Sequence, residues 1–504
     1  MGATAELTGY SRVWLIRGGA GPSNPPRYQG YAKAGSPDWS MGDITRIEAP
    51  SPDQFGKFIE VGTIRGADER PTLGLTFLYT NNASEVLSIA QTGCALDVQI
   101  HFGRCEQPNS YRSWEKILIF ENALITNWST GDLGALEQGE NAKIDEEVEL
   151  TAEWFYEVVK MSYALRGGDD IAQEVIAVAV DKGVSCGDCD RQSDGCSNVF
   201  AVSAPAGSSP GVKAEVIFSD DGFTTSGDTW IDTMEIGEDP NDAAVVGTNL
   251  VVVSEDTESL HYASITDILL GQEEWNEVTD GFVTSHGPRA ITTVGASDTW
   301  IAGAGGYIYY SSDITNGVET QDEGESTMED LNDIAAYDTD VVVAVGNNNT
   351  VLYTLDGATW TSVTGPDTVN SPDLVSVAVR DRLEWWVGTN DNAMWVTENG
   401  GVTWTQARFT GDTQSGGGTG TVNDIQFASS AVGFMAHETS ASRGRILRTT
   451  DGGRTWIVAP EIGTFPLVDR INSIATCYRE VNRIYAGGLA DNAADGALLV
   501  GVRT

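Results

Sequence analysis

One nine-residue stretch limits what this chain can become: Arg448-Thr449-Thr450-Asp451-Gly452-Gly453-Arg454-Thr455-Trp456. An apolar strand, Arg445-Ile446-Leu447, runs into it, and a Thr-Trp strand leaves it. An Asp side chain accepts from backbone N–H groups two residues on, and Gly takes positive φ without strain. The Trp opens the return strand and brings a large apolar surface to bury. The pattern recurs at Thr397-Glu398-Asn399-Gly400-Gly401-Val402-Thr403-Trp404 and, one residue shorter, at Thr354-Leu355-Asp356-Gly357-Ala358-Thr359-Trp360. Ser219-Asp220-Asp221-Gly222 and Ser311-Ser312-Asp313 are partial copies, and Tyr262-Ala263-Ser264 with Trp275 downstream reads as a worn one.

Marks at Ser219, Ser264, Ser311, Thr354, Thr397 and Thr449 are spaced by roughly 43 to 52 residues, the period of repeated supersecondary units that share a core. Each unit holds about four short strands, the size of one propeller blade. In the cleanest unit the strands begin at Asn332, Val341, Val351 and Trp360. On that template the first blade begins near Val175, with Val199-Phe200-Ala201-Val202 as its second strand. The others begin near Asp242, Ala290, Leu331, Leu374, Val422 and Ile471, giving about seven blades. The last unit lacks a fourth strand. The segment from Val158 to Leu165 is expected to supply it, which would leave no open edge.

The turn pattern resembles the Asp-box (BNR) repeat of sialidases, sortilin-type receptors and photosystem-assembly propellers. The resemblance implies an all-β fold whose second part, 166–504, is a seven-bladed propeller. It also implies that the motif residues fold the blade-edge turns and are not catalytic. Those residues are Ser219, Asp221, Gly222, Ser311, Asp313, Thr354, Asp356, Gly357, Trp360, Thr397, Asn399, Gly401, Trp404, Thr449, Asp451, Gly453 and Trp456.

Residues 1–165 hold no copy of the repeat. They read as alternating strands, at Val13–Arg17, Ile44–Glu48, Phe58–Ile64, Thr72–Tyr79, Leu96–Phe102, Lys116–Phe120, Ala123–Trp128 and Glu147–Val158. One short helix is expected from about Ser84 to Gln91, capped by Ser84 and stopped by Gly93. Together they describe a β sandwich or barrel with one helix. Gly42–Glu48 leading through a turn into Lys57–Gly62, Arg65–Leu73 before the helix, Asn122–Trp128, and the closing strand from Glu147 resemble a phage or viral major tail tube protein. The resemblance implies hexameric rings, stacked into a tube around a DNA channel. It places the protein in the virion tail, made in the host cytoplasm, beside other tail proteins. The segments from Gly30 to Pro50 and from Glu137 to Glu147 are the candidate arms for neighbour contacts.

Composition sets the partners. The 504 residues carry a formal charge of −44, from 73 acidic and 29 basic side chains, and most of the excess lies beyond about residue 165. Such a surface repels nucleic acid and favours solubility. It fits a solvated acidic coat or adaptation to high salt; the tail-tube resemblance further implies an acidic lumen through which DNA passes without specific binding. No run of about 18 apolar residues offers a membrane span. Met1-Gly2-Ala3-Thr4-Ala5-Glu6 lacks the marks of a signal peptide or of myristoylation.

Few groups suggest chemistry. Cys186, Cys189 and Cys196 fit a local disulfide, free thiols or a three-sulfur metal site completed by Asp190 or Asp194. Asp188, Asp190 and Asp194 offer a weak cation set. A sialidase would need an arginine triad, for which Arg289, Arg380 and Arg470 stand near blade starts, and a Tyr beside an acid, for which no pair stands out. His101, His261, His286 and His437 are scattered, and Ser415–Gly420 carries no Lys and opens no helix, so it is a loop and not a phosphate cradle. The expectation is a structural virion subunit with no enzymatic activity and no cofactor, whose outward propeller binds glycans or a host surface. The alternatives are a sugar-binding or scaffold propeller and a sialidase-type hydrolase.

Overall fold

The computed structural model describes residues 11–17, 27–31, 38–40, 44–50, 58–65, 71–78, 95–102, 116–130, 145–166, 171, 173–181, 198–205, 214–219, 230–234, 240–255, 258–271, 274–410, 420–439, 443–458, 465–477, 480–491 and 495–503. The chain divides into two units, Met1–Val159 and Lys160–Thr504.

The first unit contains β1 (Ser11–Arg17), β2 (Arg27–Tyr31), β3 (Asp38–Ser40), β4 (Ile44–Pro50), β5 (Phe58–Arg65), β6 (Thr72–Leu78), β7 (Leu96–Phe102), β8 (Lys116–Thr130), β9 (Asp145–Thr151) and β10 (Trp154–Val159). Eight of them form one sheet in the order β2-β1-β7-β8-β9-β6-β3, with β10 also on β8. β4 and β5 pair with each other in a separate two-stranded sheet. The two sequence strands at 116–120 and 123–128 are one continuous strand with a break in its middle. Asn122 sits at φ 51, and its N–H donates to Asp97 Oδ1 at 2.9 Å. Before that point β8 pairs with β7 and β10, and after Ala123 it pairs with β9. One strand thus serves two parts of the sheet. The alternating residues Leu73, Leu75, Val98, Ile100, Leu118, Phe120, Val148 and Leu150 fill the core it bends around. The helix expected at 84–91 lies outside the described residues, as does the candidate arm from Glu137 up to residue 144.

The second unit is a β-propeller. Among the described residues it holds seven sheets, six antiparallel ones of four strands and one of five. Their inner strands are Val175–Val180, Asp242–Val246, Pro288–Val294, Leu331–Ala336, Leu374–Asp381, Thr421–Phe427 and Val468–Ala475, in blades one to seven. Each inner strand packs on the next, and the seventh packs on the first, so the ring closes. The second strand of each blade is covered on both faces by neighbouring sheets. This is why Leu250–Val253 and Val342–Val345 are unbroken apolar runs, fully buried, and not alternating ones.

β11 (Met161–Arg166) completes blade seven. It runs antiparallel to Gly496–Arg503, with Met161 opposite Arg503 and Arg166 opposite Leu498. The division between units therefore falls before Lys160. The strand expected between Val158 and Leu165 thus belongs to the second unit, and the first unit ends at Val159 where the sequence suggests 165. Blade six gains its fifth strand from the connector Arg408–Thr410, which pairs in parallel with the outer strand Thr455–Val458.

Candidate functional site

The inner strands enclose a channel of about 420 Å³. Six of the seven carry a register break near their start, at Val175/Ala177, Pro288/Ala290, Leu331/Asp333, Leu374/Ser376, Val422/Asp424 and Ile471/Ser473. The extra residues are Ile176, Arg289, Asn332, Val375, Asn423 and Asn472. A bulge leaves one residue unpaired and re-aims its side chain. Three of these side chains reach the following blade: Asn332 Nδ2 donates to the Leu374 carbonyl at 2.9 Å, Asn423 Nδ2 to Ile471 at 2.7 Å and Asn472 Nδ2 to Val175 at 2.9 Å.

The next residue makes a second latch. Asp242 Oδ2 accepts from the Ile291 N–H at 3.0 Å, Asp333 Oδ2 from Val377 at 2.7 Å and Asp424 Oδ2 from Ile474 at 2.8 Å. Ser473 Oγ accepts from Val178 at 3.1 Å, and the Ser376 hydroxyl donates to the Val422 carbonyl at 2.7 Å. Thr292 Oγ1 accepts from Ala336 at 3.3 Å. Among the described residues these inner-strand side chains thus link six of the seven junctions between blades, all but the one between blades one and two.

The three carboxyls are half-buried by surface area, because the channel admits water-sized molecules, yet protein encloses them on every side. That enclosure raises Asp242 to about 6 and Asp424 to about 7, and raises Asp333 well above the usual carboxylate range. Backbone donors oppose the shift, while the other carboxyls add to it for Asp333 and Asp424. The far end of the channel is lined by Val245, Thr293, Ala336, Val379 and Phe427.

A second set of stitches runs around the outside, through the repeated turns. Thr449 Oγ1 donates to Asp451 Oδ1 at 2.8 Å and accepts from the N–H groups of Asp451 and Gly453 at 3.3 and 2.9 Å. Asp451 then accepts from the Thr455 N–H at 2.9 Å and the Thr455 hydroxyl at 2.7 Å. Thr397 and Asn399 repeat this geometry, with Thr403 N–H on Asn399 Oδ1 at 2.8 Å. In the shorter copy Asp356 Oδ1 accepts from Thr354 Oγ1, Ala358 N–H and Thr359 N–H. The Trp that follows reaches the preceding blade: Trp360 Nε1 donates to Gln321 Oε1 at 3.0 Å and Trp404 Nε1 to the Thr364 carbonyl at 3.1 Å. Trp456 is fully buried and instead bonds the Gly453 carbonyl of its own turn.

The partial copies diverge. Ser311 donates to the Gly317 carbonyl, and Asp313 caps a short 3-10 turn, Ile314–Asn316, by accepting from Thr315. Ser264 does not open a turn of this kind. It precedes an α-helix, Ile265–Leu270, which ends at Gly271 in the left-handed region. The buried pair Ile265 and Ile268 pulls this segment onto the core between blades one and two. Ser219 is buried, whereas Asp221 and Gly222 lie outside the described residues.

The three arginines are held apart by separate partners. Arg289 pairs with Glu255 and Asp330, each at 3.1 Å. Arg470 pairs with Glu174 at 3.2 Å and Glu438 at 3.1 Å. Arg380 pairs with Glu384, donates to the Ser430 carbonyl and stacks on Trp386. Arg289 lines the channel and Arg380 does not, so the three form no common carboxylate grip. His437 bonds Asn392 at 2.6 Å, His286 stacks on Tyr307, and His101 bonds Gln99 at 3.0 Å. Burial holds His261 below its ordinary value. Among the described residues no three His, Cys, Asp or Glu side chains converge on a metal-sized site. Cys186, Cys189 and Cys196 lie outside the described residues. Cys477 is buried and disulfide-bonded. No described helix is long and apolar enough to cross a membrane.

No family model and no curated protein matches this sequence. Solved structures do. YCF48 from Cyanidioschyzon merolae is 14% identical, with a TM-score of 0.46, covering 67% of this chain and 98% of that one. A structure described as YCF48 bound to D1 peptide is 13% identical, with a TM-score of 0.45, covering 69% and 96%. U3-55K is 10% identical, with a TM-score of 0.48, covering 68% and 98%. The propeller assignment itself rests on the strand order and the closed ring described above.

Proposed function

We propose that this chain is a structural assembly subunit: a major tail tube protein whose first unit joins copies of itself, with an Asp-box propeller displayed outward. The observation that carries the reading is the pairing of the first unit. Among the described residues its eight-stranded sheet leaves β2, β3 and β10 each paired on one side only, and the β4–β5 hairpin pairs with no third strand. Open strand edges are normally guarded, because they invite pairing with another chain. In a ring of subunits that pairing is put to use, as in other recognition by strand addition. The hairpin overlaps the arm expected between Gly30 and Pro50.

The propeller fits a display role. Its inner and outer stitches make a stiff body, and its loops offer Trp, Asn and Asp side chains suited to glycans or a host surface. The separated arginines give a sialidase reading no support. The first unit is itself net acidic, which suits a lumen that passes DNA without holding it.

Electron microscopy of the full chain at high concentration tests the reading. Regular tubes or six-fold rings are the expected result. A variant with residues 47–62 replaced by a short Gly-Ser linker should stay monomeric while its propeller melts normally. A wild-type protein that is monomeric at every concentration and salt tried would reject the tube reading and leave a scaffold propeller.

A further inference from the structure

We propose that the channel girdle is an acid-stabilised clamp: the ring of blades joined through Asp242, Asp333 and Asp424 is most stable when each carboxyl carries a proton, and it loosens as burial and like charge penalise their ionisation. The geometry is a set of three acids from alternate blades facing one enclosed channel, each bonded across to the next blade. The titratable groups lining the channel are these three and Arg289. Arg289 is already engaged by Glu255 and Asp330, so it is not a counter-ion for them. The remaining charges on the inner strands point elsewhere. Arg380 is paired with Glu384, Arg470 with Glu174 and Glu438, Asp469 with Arg443, and Asp381 is exposed at the end of its strand. The inner strand of blade one carries no charge. With the Arg289 charge already matched by Glu255 and Asp330, each new negative charge in the channel adds to the like charge of the other two carboxyls, which disfavours ionisation.

The direction with pH follows from linkage. The folded chain keeps protons that the unfolded chain releases, so this stabilisation is complete below the ordinary carboxylate value and is lost as pH rises towards about 7. Ser473 and Ser376 provide neutral comparators, because they stand at the same position in blades seven and five and latch without a charge.

Melting of the full chain between about pH 5 and about pH 8 tests the clamp. The midpoint should fall by several degrees over that range, and Asp333→Ser and Asp424→Ser should each flatten the slope. Asp451 and Glu480 are raised in the same direction, so the series is run beside Asp451→Asn. Infrared spectra of the wild type should show protonated carboxyl groups at the acid end that vanish at the alkaline end. Their absence at the acid end would overturn the proposal whether or not the variants fold. So would a midpoint that rises with pH, or an unchanged slope in a variant with native circular dichroism.

Discussion

The turn at Thr449 to Trp456 separates two roles that look alike in the sequence. Thr449 and Asp451 are each 1% exposed, so neither can exchange its bonds for water. Thr449→Val removes the acceptor of two buried N–H groups, on Asp451 and Gly453, and a donor to Asp451. An orphaned buried polar group costs about 1–3 kcal/mol, so the change should cost about 2–5 kcal/mol. Asp451→Asn should cost less than about 1 kcal/mol, because Oδ1 keeps the Thr455 N–H and the amide can donate to the Thr455 hydroxyl. Asn399 does this at its own turn, where Nδ2 donates to Thr403 Oγ1 at 2.8 Å. Burial raises the carboxyl of Asp451, so its contribution is present at low pH and is lost as pH rises through its folded value. The Asn variant should therefore gain on the wild type as pH increases. Urea unfolding followed by circular dichroism, at acidic and neutral pH, gives both numbers. An Asn variant as unstable as the Val variant would refute the account, since it would mean that charge, and not hydrogen-bond geometry, holds the turn.

Three further outcomes follow from the same structure. Exposed Asp356 accepts the same bonds, which hold it below the ordinary range, so Asp356→Asn should remove a stabilisation that the wild type loses on acidification, the opposite sign to Asp451 in a pH-resolved melt. Gly453→Ala should be much worse than Gly271→Ala. Both have positive φ, costing about 1–2 kcal/mol, but only at Gly453 would a Cβ lie 2.3 Å from Trp386 Nε1; comparison of the two urea midpoints checks this. Deleting residues 161–166 exposes the backbone edge of Gly496–Arg503, and light scattering should then report self-association of the propeller unit.

The turns and the period were legible because each copy needs residues with special backbone or hydrogen-bonding chemistry at fixed offsets. Blade interiors were legible as apolar runs. The inner girdle was not recognised, although its letters recur: Asn241-Asp242, Asn332-Asp333, Asn423-Asp424 and Asn472-Ser473. Asn and Asp at a strand start look like turn residues. Only the register break shows that the Asn is the unpaired bulge residue and that the Asp reaches the next sheet. The helix at Ile265 was missed for a related reason. Ser264 fitted the repeat mark, while Ile265, Ile268 and Gly271 carried a helical spacing and stop that the repeat template overrode. The separation of Arg289, Arg380 and Arg470 depends on where the carboxylates of other loops fall, which no local pattern records.

The strand Met161–Arg166 also sets an order of events during synthesis. It leaves the ribosome before any other part of the ring, yet its partner Gly496–Arg503 is made after all the other blade strands. Blades one to six can collapse as they emerge, but the early strand must wait unpaired throughout translation of the ring. The nascent propeller therefore stays an unsealed arc until its final strand arrives.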